Sequence, residues 1–109
     1  MKYLLLLYAA PENMPEPGSQ MDRWMGVTEE MAKEGVFVAG DALEDIATAT
    51  TLRDGTITDG PFAETKEILN GYYIVDVSDL DAATDWSRKL PIADYGSVEI
   101  RPIREMPAA

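Results

Sequence analysis

The first strand-like segment of the chain, Lys2–Ala9, is apolar on both of its faces. Side chains alternate between the two faces of a strand, so the four leucines of this segment divide into two pairs. The pairs are Leu4 with Leu6 and Leu5 with Leu7. Residues 71–77 divide in the same way: Tyr72 and Ile74 lie opposite Tyr73 and Val75. Both segments predict a sheet that must be covered on both sides, because large apolar patches are rare on the surface of a monomer.

The first half of the chain is predicted to form a strand, a helix and a second strand. After the first strand, a Pro-rich loop covers residues 11–18, and Ser19 is a suitable N-cap for the helix. Gly35 fits the position just beyond the helix, and residues 36–39 form the next strand. Three methionines at helical spacing are expected to fill the core: Met21, Met25 and Met31.

The second half repeats the strand, helix and strand, after a connecting hairpin. Asp54-Gly55 is a strong two-residue turn signal between a Thr-rich strand at 47–53 and a strand at 56–59. The remaining elements are a strand at 71–77, a helix between Ser78 as N-cap and Pro91, and a strand at 97–103. The spacing thus predicts an α+β domain of ferredoxin-like topology over residues 1–104, with a loose tail at 105–109.

Two helices can cover only one face of such a sheet. The other face carries apolar side chains from both central strands, and a second copy of the chain stacked sheet to sheet is the simplest cover. We therefore predict a homodimer, with cavities between or beside the two sheets.

Composition excludes several classes of function. The 109 residues include no cysteine and no histidine, so thiolate chemistry and the usual neutral-pH base are absent. The net charge of −11 argues against binding to nucleic acids or anionic membranes. No cofactor or metal is predicted: Asp41, Glu44 and Asp45 match no cation-binding loop. The apolar start of the chain is too short to span a membrane, and we expect a cytoplasmic protein.

The segment Thr58–Glu67 combines a sharp turn with several ionisable side chains. Gly60 permits unusual backbone angles and Pro61 fixes its own, so Asp59 is expected to head a turn and to accept a backbone hydrogen bond. A functional alternative makes Asp59 and Glu64 an acid/base pair that Lys66 tunes.

These residues also carry a family resemblance. The block Asp59-Gly60-Pro61-Phe62-Ala63-Glu64-Thr65-Lys66-Glu67, with the runs at 2–8, 71–73 and 95–102, resembles the YCII-related superfamily in its DGPF-domain branch. The resemblance implies a dimeric α+β barrel and little chemistry. It also implies a link to extracytoplasmic-function sigma factors. A His–Asp dyad suspected in the wider superfamily has no histidine to occupy it here.

Candidate ligand-binding residues lie on the predicted strands. Four tyrosines can line a cavity or serve as core and interface residues: Tyr8, Tyr72, Tyr73 and Tyr95. Arg101 can bind a substrate carboxylate or pair with Asp76 or Glu64, and we do not expect a pair with Glu99. We place the predicted site in one pocket formed by Asp59, Glu64, Lys66, Tyr72 and Arg101.

Two functional hypotheses follow from these residues. The first is a small-molecule-binding or regulatory domain without catalysis. The second is a cofactor-independent isomerase, lyase or hydrolase that uses Asp59 as the general base and Glu64 or a tyrosine as the acid. A carboxylate held in a cavity would favour the enzyme, whereas a solvated motif loop would favour the binding domain.

Overall fold

The computed structural model describes residues 1–107 and contains six strands and two α-helices within that range. In chain order these are β1 (Lys2–Ala9), α1 (Met21–Lys33), β2 (Phe37–Ala42), β3 (Thr50–Arg53), β4 (Thr56–Asp59), β5 (Ile68–Asp76), α2 (Leu80–Lys89) and β6 (Ser97–Pro102). Short 3₁₀ turns occupy Pro11–Asn13, Ile46–Thr48 and Pro91–Asp94.

Four of the strands form one antiparallel sheet in the order β2-β5-β1-β6, and β3 pairs with β4 in a separate hairpin. This order is that of a ferredoxin-like fold, in which the first and third of the four strands are central; here these are β1 and β5. The predicted α+β class and topology are confirmed.

Both helices pack on the same face of the main sheet. Leu5 and Leu7 of β1 are 0% and 5% exposed, and they share one buried cluster with Met31 of α1 and Trp86 of α2. The opposite face carries Leu4, Leu6, Tyr8, Tyr72 and Ile74, which are only partly buried. We call this surface the open face. The predicted division of the β1 leucines therefore holds, and Leu5 and Leu7 are the helix-facing pair.

The helix boundaries differ slightly from the predicted ones. α1 begins after Gln20 with no side-chain cap, so Ser19 is not its N-cap. The N-cap of α2 is Asp79 and not Ser78, because the Asp79 carboxylate accepts a hydrogen bond from the Ala82 amide at 2.9 Å. Gly35 follows α1 with a φ of 72°, as predicted for that position.

The methionine prediction is only partly right. Met31 is completely buried, but Met21 and Met25 are each 55% exposed. The buried stripe of α1 runs through Trp24, Val27 and Met31, at helical spacing. Met25 lies beside this stripe, and Met21 lies in the first turn.

The hairpin turn is as predicted. Asp54 and Gly55 both have positive φ, 50° and 77°, which a two-residue type I′ turn requires. The hairpin strands are shorter than predicted on the N-terminal side, since 46–48 form a 3₁₀ turn. Its cross-strand pair Leu52 and Ile57 is 69% exposed on each side.

The end of the chain is described as far as residue 107. Residues 103–107 have no regular structure, although the Ile103 amide donates to the Lys2 carbonyl at 2.9 Å. The predicted loose tail at 105–109 falls partly on residues 108–109, which lie outside the described range. Within residues 1–107, neither helix has the length and apolar composition that crossing a membrane requires.

Candidate functional site

A cavity of about 460 Å³ lies on the helix-covered side of the main sheet. Its walls are α1, the segment 14–18 that precedes it, the C-terminal end of β2 and the first half of β5. Most of the side chains that line it are apolar or aromatic. Residues 14–18 of the Pro-rich loop also border it. We call it the α1 cavity.

Two glycines form part of the cavity floor. A Cβ at Gly71 would lie 2.8 Å from the Asp41 carbonyl oxygen, and a Cβ at Gly40 would lie 2.9 Å from Cδ1 of Tyr73. Both distances are too short for a side chain to fit without movement. Glycine at these two positions therefore allows close packing: the Tyr73 ring lies over Gly40, and the β2 main chain approaches Gly71.

Aromatic rings form the wall above this floor. Trp24 of α1 stacks on Tyr73 of β5, with ring centroids 6.2 Å apart and an interplanar angle of 13°. Phe37 of β2 meets the same Tyr73 ring edge-on, at 6.2 Å and 81°. Tyr95 also lines the cavity. Such rings offer flat apolar surfaces to a planar ligand.

Two hydroxyls of the cavity, those of Tyr73 and Thr28, are hydrogen-bonded to each other. The Tyr73 hydroxyl lies 2.7 Å from Thr28 Oγ1, and Thr28 Oγ1 donates to the main-chain carbonyl of Trp24 at 2.9 Å. Burial raises the pKa of Tyr73 above its ordinary value. Burial also raises the pKa of Tyr95, opposed by the neighbouring Trp24 side chain. Both phenols therefore stay protonated at neutral pH.

Charged side chains contribute little to the cavity. Of the residues in 1–107 that line it, only Glu16 and Asp41 are charged. The Asp41 carboxylate accepts a hydrogen bond from the Tyr72 hydroxyl at 3.2 Å, and both side chains belong to the open face because Asp41 and Tyr72 are paired across β2 and β5. That hydrogen bond raises the pKa of Tyr72. The Asp41 carboxylate thus belongs to the open face.

The six predicted site residues do not come together in one pocket of this chain. Asp59 ends β4, and Glu64 and Lys66 lie on the exposed loop that follows. Tyr8 and Arg101 lie on the open face, on β1 and β6. Of the six, only Tyr72 borders the α1 cavity, and its side chain belongs to the open face. One chain alone therefore does not form the expected pocket, and a pocket at the seam of a dimer, with the chemical roles assigned to these residues, stays a prediction.

The Asp59-Gly60-Pro61 turn closes the base of the hairpin. Gly60 has a φ of 100°, its amide donates to the Ala49 carbonyl at 2.7 Å, and its own carbonyl accepts from Thr51 Oγ1 at 2.8 Å. Within residues 1–107 the Asp59 side chain makes no hydrogen bond, so the turn forms without the backbone hydrogen bond that was expected to Asp59. Further along, Glu67 accepts a hydrogen bond from Ser97 Oγ at 2.7 Å and so ties the motif to β6.

Arg101 pairs with Glu99 at 3.3 Å, contrary to expectation. Residues two apart on a strand share a face, so these two side chains can meet on the open face of β6. Asp76, one of the expected partners, instead binds the N-terminal ammonium group at 2.9 Å. Arg101 is well exposed, and its ion pair contributes little to stability.

Sequence reasoning missed Trp24, Thr28 and Gly40 as cavity residues. Trp24 and Thr28 are four residues apart and share one face of α1, but this spacing is equally typical of core residues. The sequence signals that could have pointed to the cavity are Gly40 at the end of a predicted strand and the Pro-rich loop before α1. No group of three potential metal ligands occurs within the part of the chain that the structure describes.

Comparison with known proteins assigns the family. The model of the YCII-related domain matches residues 1–107. The chain belongs to the YCII-related family. Its assignment to the DGPF branch stays a prediction.

Two proteins illustrate how this YCII-related chain compares with others. It is 48% identical over 61 residues to the uncharacterised protein R00369 of Rhizobium meliloti (strain 1021), a match that covers 50% of this chain and 49% of that protein. The chain thus aligns with about half the length of that relative. A solved structure of 5-chloro-2-hydroxyhydroquinone dehydrochlorinase (TftG) from Burkholderia phenoliruptrix AC1100, in complex with 2,5-dihydroxybenzoquinone, has a TM-score of 0.61. The alignment covers 97% of this chain and 96% of the TftG chain, at 14% sequence identity. The likeness therefore concerns the fold alone.

Proposed function

We propose that this YCII-related domain binds a small planar organic molecule in the α1 cavity. The observation that carries the proposal is the cavity itself, in which a stacked aromatic wall rises above two close-packed glycines of the sheet. Its volume of about 460 Å³ falls within the range of small-molecule sites. A few hydroxyl groups among apolar side chains are also typical of such sites, because they orient a ligand that burial holds in place.

The structural neighbour gives limited support. TftG shares the fold and was solved with a planar ring compound, 2,5-dihydroxybenzoquinone. A common fold does not carry a common activity, so dehydrochlorination is not proposed for this chain. The shared architecture is consistent with a fold that accommodates a single ring.

Catalysis by Asp59 and Glu64 is the alternative. Both carboxylates are exposed and neither lines the α1 cavity, so the geometry of one chain gives them no substrate to act on. A general base must come within hydrogen-bond reach of the proton that it removes. The acid/base hypothesis stays a prediction, and binding is the function that the geometry favours.

Ligand titrations of cavity and motif variants separate the two hypotheses. Ala42 lies on the helix-facing side of β2 and lines the cavity, so Ala42→Phe should fill its mouth. With a planar probe such as 4-ethylphenol, we expect Ala42→Phe to weaken binding about tenfold or more. Asp59→Asn and Glu64→Gln should bind as the wild type does. Unchanged binding by Ala42→Phe, or lost binding by either motif variant, would contradict the proposal.

The homodimer remains part of the proposal. The open face has an apolar centre, and its charged side chains nearly balance: Lys2 and Arg101 against Asp41, Asp76 and Glu99. A chain of net charge −11 repels its own copies over most of its surface, but hardly at all across this face. Stacking of two open faces would also cover Leu4 and Leu6 in both copies.

Two further expectations also stay proposals. A cytoplasmic location is consistent with the composition, and fractionation of cells would test it. The link to an extracytoplasmic-function sigma factor comes from the family resemblance. Copurification of the two proteins at physiological salt would support it, and a failure to copurify at micromolar concentrations would count against it.

A further inference from the structure

The bond from Thr28 to the Trp24 carbonyl assigns a direction to the hydrogen bonds of the α1 cavity. Thr28 Oγ1 carries one proton, and it donates that proton to the Trp24 carbonyl, which can only accept. The 2.7 Å contact between Thr28 and Tyr73 therefore has Tyr73 as its donor. The chain of donors runs from the Tyr73 hydroxyl through Thr28 to the Trp24 main chain.

This direction leaves Tyr73 with a free acceptor and no free donor. Its single proton is engaged by Thr28, whereas its oxygen keeps a lone pair. We propose that the ligand of the α1 cavity is an uncharged planar molecule that donates a hydrogen bond to the Tyr73 oxygen, as a phenol or an indole-type N–H does. This inference rests on the proposed function and names the chemical class of the ligand.

The charge of the cavity points to the same class. Within residues 1–107, no Lys or Arg side chain lines it, and the whole chain has a net charge of −11. Arg23 lies nearby on α1, but it is bound to Asp94 at 3.0 Å and to Gln20 at 2.7 Å. A carboxylate or phosphate would lose its water shell without gaining a cationic partner. Anionic ligands are therefore disfavoured.

A matched set of three probes tests the class. 4-Ethylphenol donates a hydrogen bond, 4-ethylanisole has the donor replaced by a methyl ether, and 4-ethylbenzoate carries a negative charge. The readout is the side-chain N–H resonance of Trp24 in a titration, with the second indole, Trp86 on α2, as the internal reference. We expect 4-ethylphenol to bind about three to ten times more tightly than 4-ethylanisole, and 4-ethylbenzoate to bind most weakly.

Thr28→Val provides the decisive variant. Valine keeps the shape of threonine but removes the acceptor, so the Tyr73 hydroxyl becomes free to donate to a ligand. The preference for 4-ethylphenol over 4-ethylanisole should fall to about one or reverse. Thr84→Val is the matched control, because Thr84 Oγ1 makes the same bond to the Leu80 carbonyl at 2.8 Å on α2, away from the cavity. It should leave the preference unchanged.

The outcomes separate this inference from the proposed function. Equal affinity of the wild type for 4-ethylphenol and 4-ethylanisole, or tightest binding of 4-ethylbenzoate, would overturn the ligand class and leave the binding site intact. A preference that Thr28→Val does not alter would overturn the role of the Tyr73–Thr28 pair. If none of the probes moves the Trp24 resonance, the proposed function fails and this inference fails with it.

Discussion

Substitution of Gly60 by alanine tests what the family motif does for the fold. Gly60 has a φ of 100°, and no heavy atom lies within 4 Å of the position that a Cβ would take. The cost is therefore conformational and not steric. A left-handed backbone costs an L-residue about 1–2 kcal/mol. Alanine also lowers the conformational entropy of the unfolded chain, which offsets about 0.4–1 kcal/mol of this cost. We expect Gly60→Ala to destabilise the turn by about 1 kcal/mol.

The same substitution at Gly26 is the control. Gly26 lies within α1, has no positive φ, and has no heavy atom within 4 Å of the place that an alanine methyl group would occupy. Alanine there should stabilise the helix by about 0.5–1 kcal/mol, because glycine is a poor helix former. The two glycine substitutions thus have opposite predicted signs.

Hydrogen exchange of the hairpin amides, β3 to β4, is the most direct assay. The turn is held by the Gly60 amide and carbonyl, which bond Ala49 and Thr51. A loss of about 1 kcal/mol corresponds to roughly fivefold faster exchange, whether the hairpin opens alone or with the domain. Urea unfolding then shows which of the two occurs. Exchange in Gly60→Ala that is as slow as in the wild type would refute the turn interpretation.

Three further predictions concern assembly, ionisation and packing. Leu6→Asp, on the open face, should give a monomer mass in light scattering at micromolar concentration while helical circular dichroism is retained; a dimer mass would contradict the proposed interface. Burial raises the pKa of Tyr73, so the stability that its neutral phenol contributes is fully present below about pH 10 and is lost as pH rises above that. Tyr73→Phe should therefore reduce the alkaline loss of stability in urea titrations. An equally steep loss in the variant would exclude Tyr73 as the source of that loss. Gly96→Ala should cost about 3 kcal/mol or more in urea unfolding, because its Cβ would lie 2.1 Å from the Tyr8 carbonyl oxygen, and a wild-type midpoint would show that this loop adapts.

Local sequence features predicted most of the fold. The two-sided apolar character of β1 and β5 placed both strands in the centre of the sheet, and Asp54-Gly55 fixed the hairpin turn. The error at each helix start is one residue. Ser78 and Asp79 are both good caps and adjacent, so propensity alone could not choose between them.

The candidate site was much less predictable. The α1 cavity joins Trp24, Thr28, Gly40 and Tyr73, which come from three elements and are 49 residues apart at most. No local pattern brings such residues together, and each one is also a reasonable core residue. The Asp59 to Lys66 motif attracted attention because of its charges, but charged side chains on a loop are usually solvated.

A map of backbone amide shifts during a 4-ethylphenol titration tests the central claim most directly. Binding in the α1 cavity predicts that the largest saturable shifts occur at Gly40, Gly71 and Trp24, which line the cavity. Residues Asp59 to Lys66 should move little. Largest shifts in that motif loop, or on the open face around Leu6, would contradict the assignment of the cavity as the binding site.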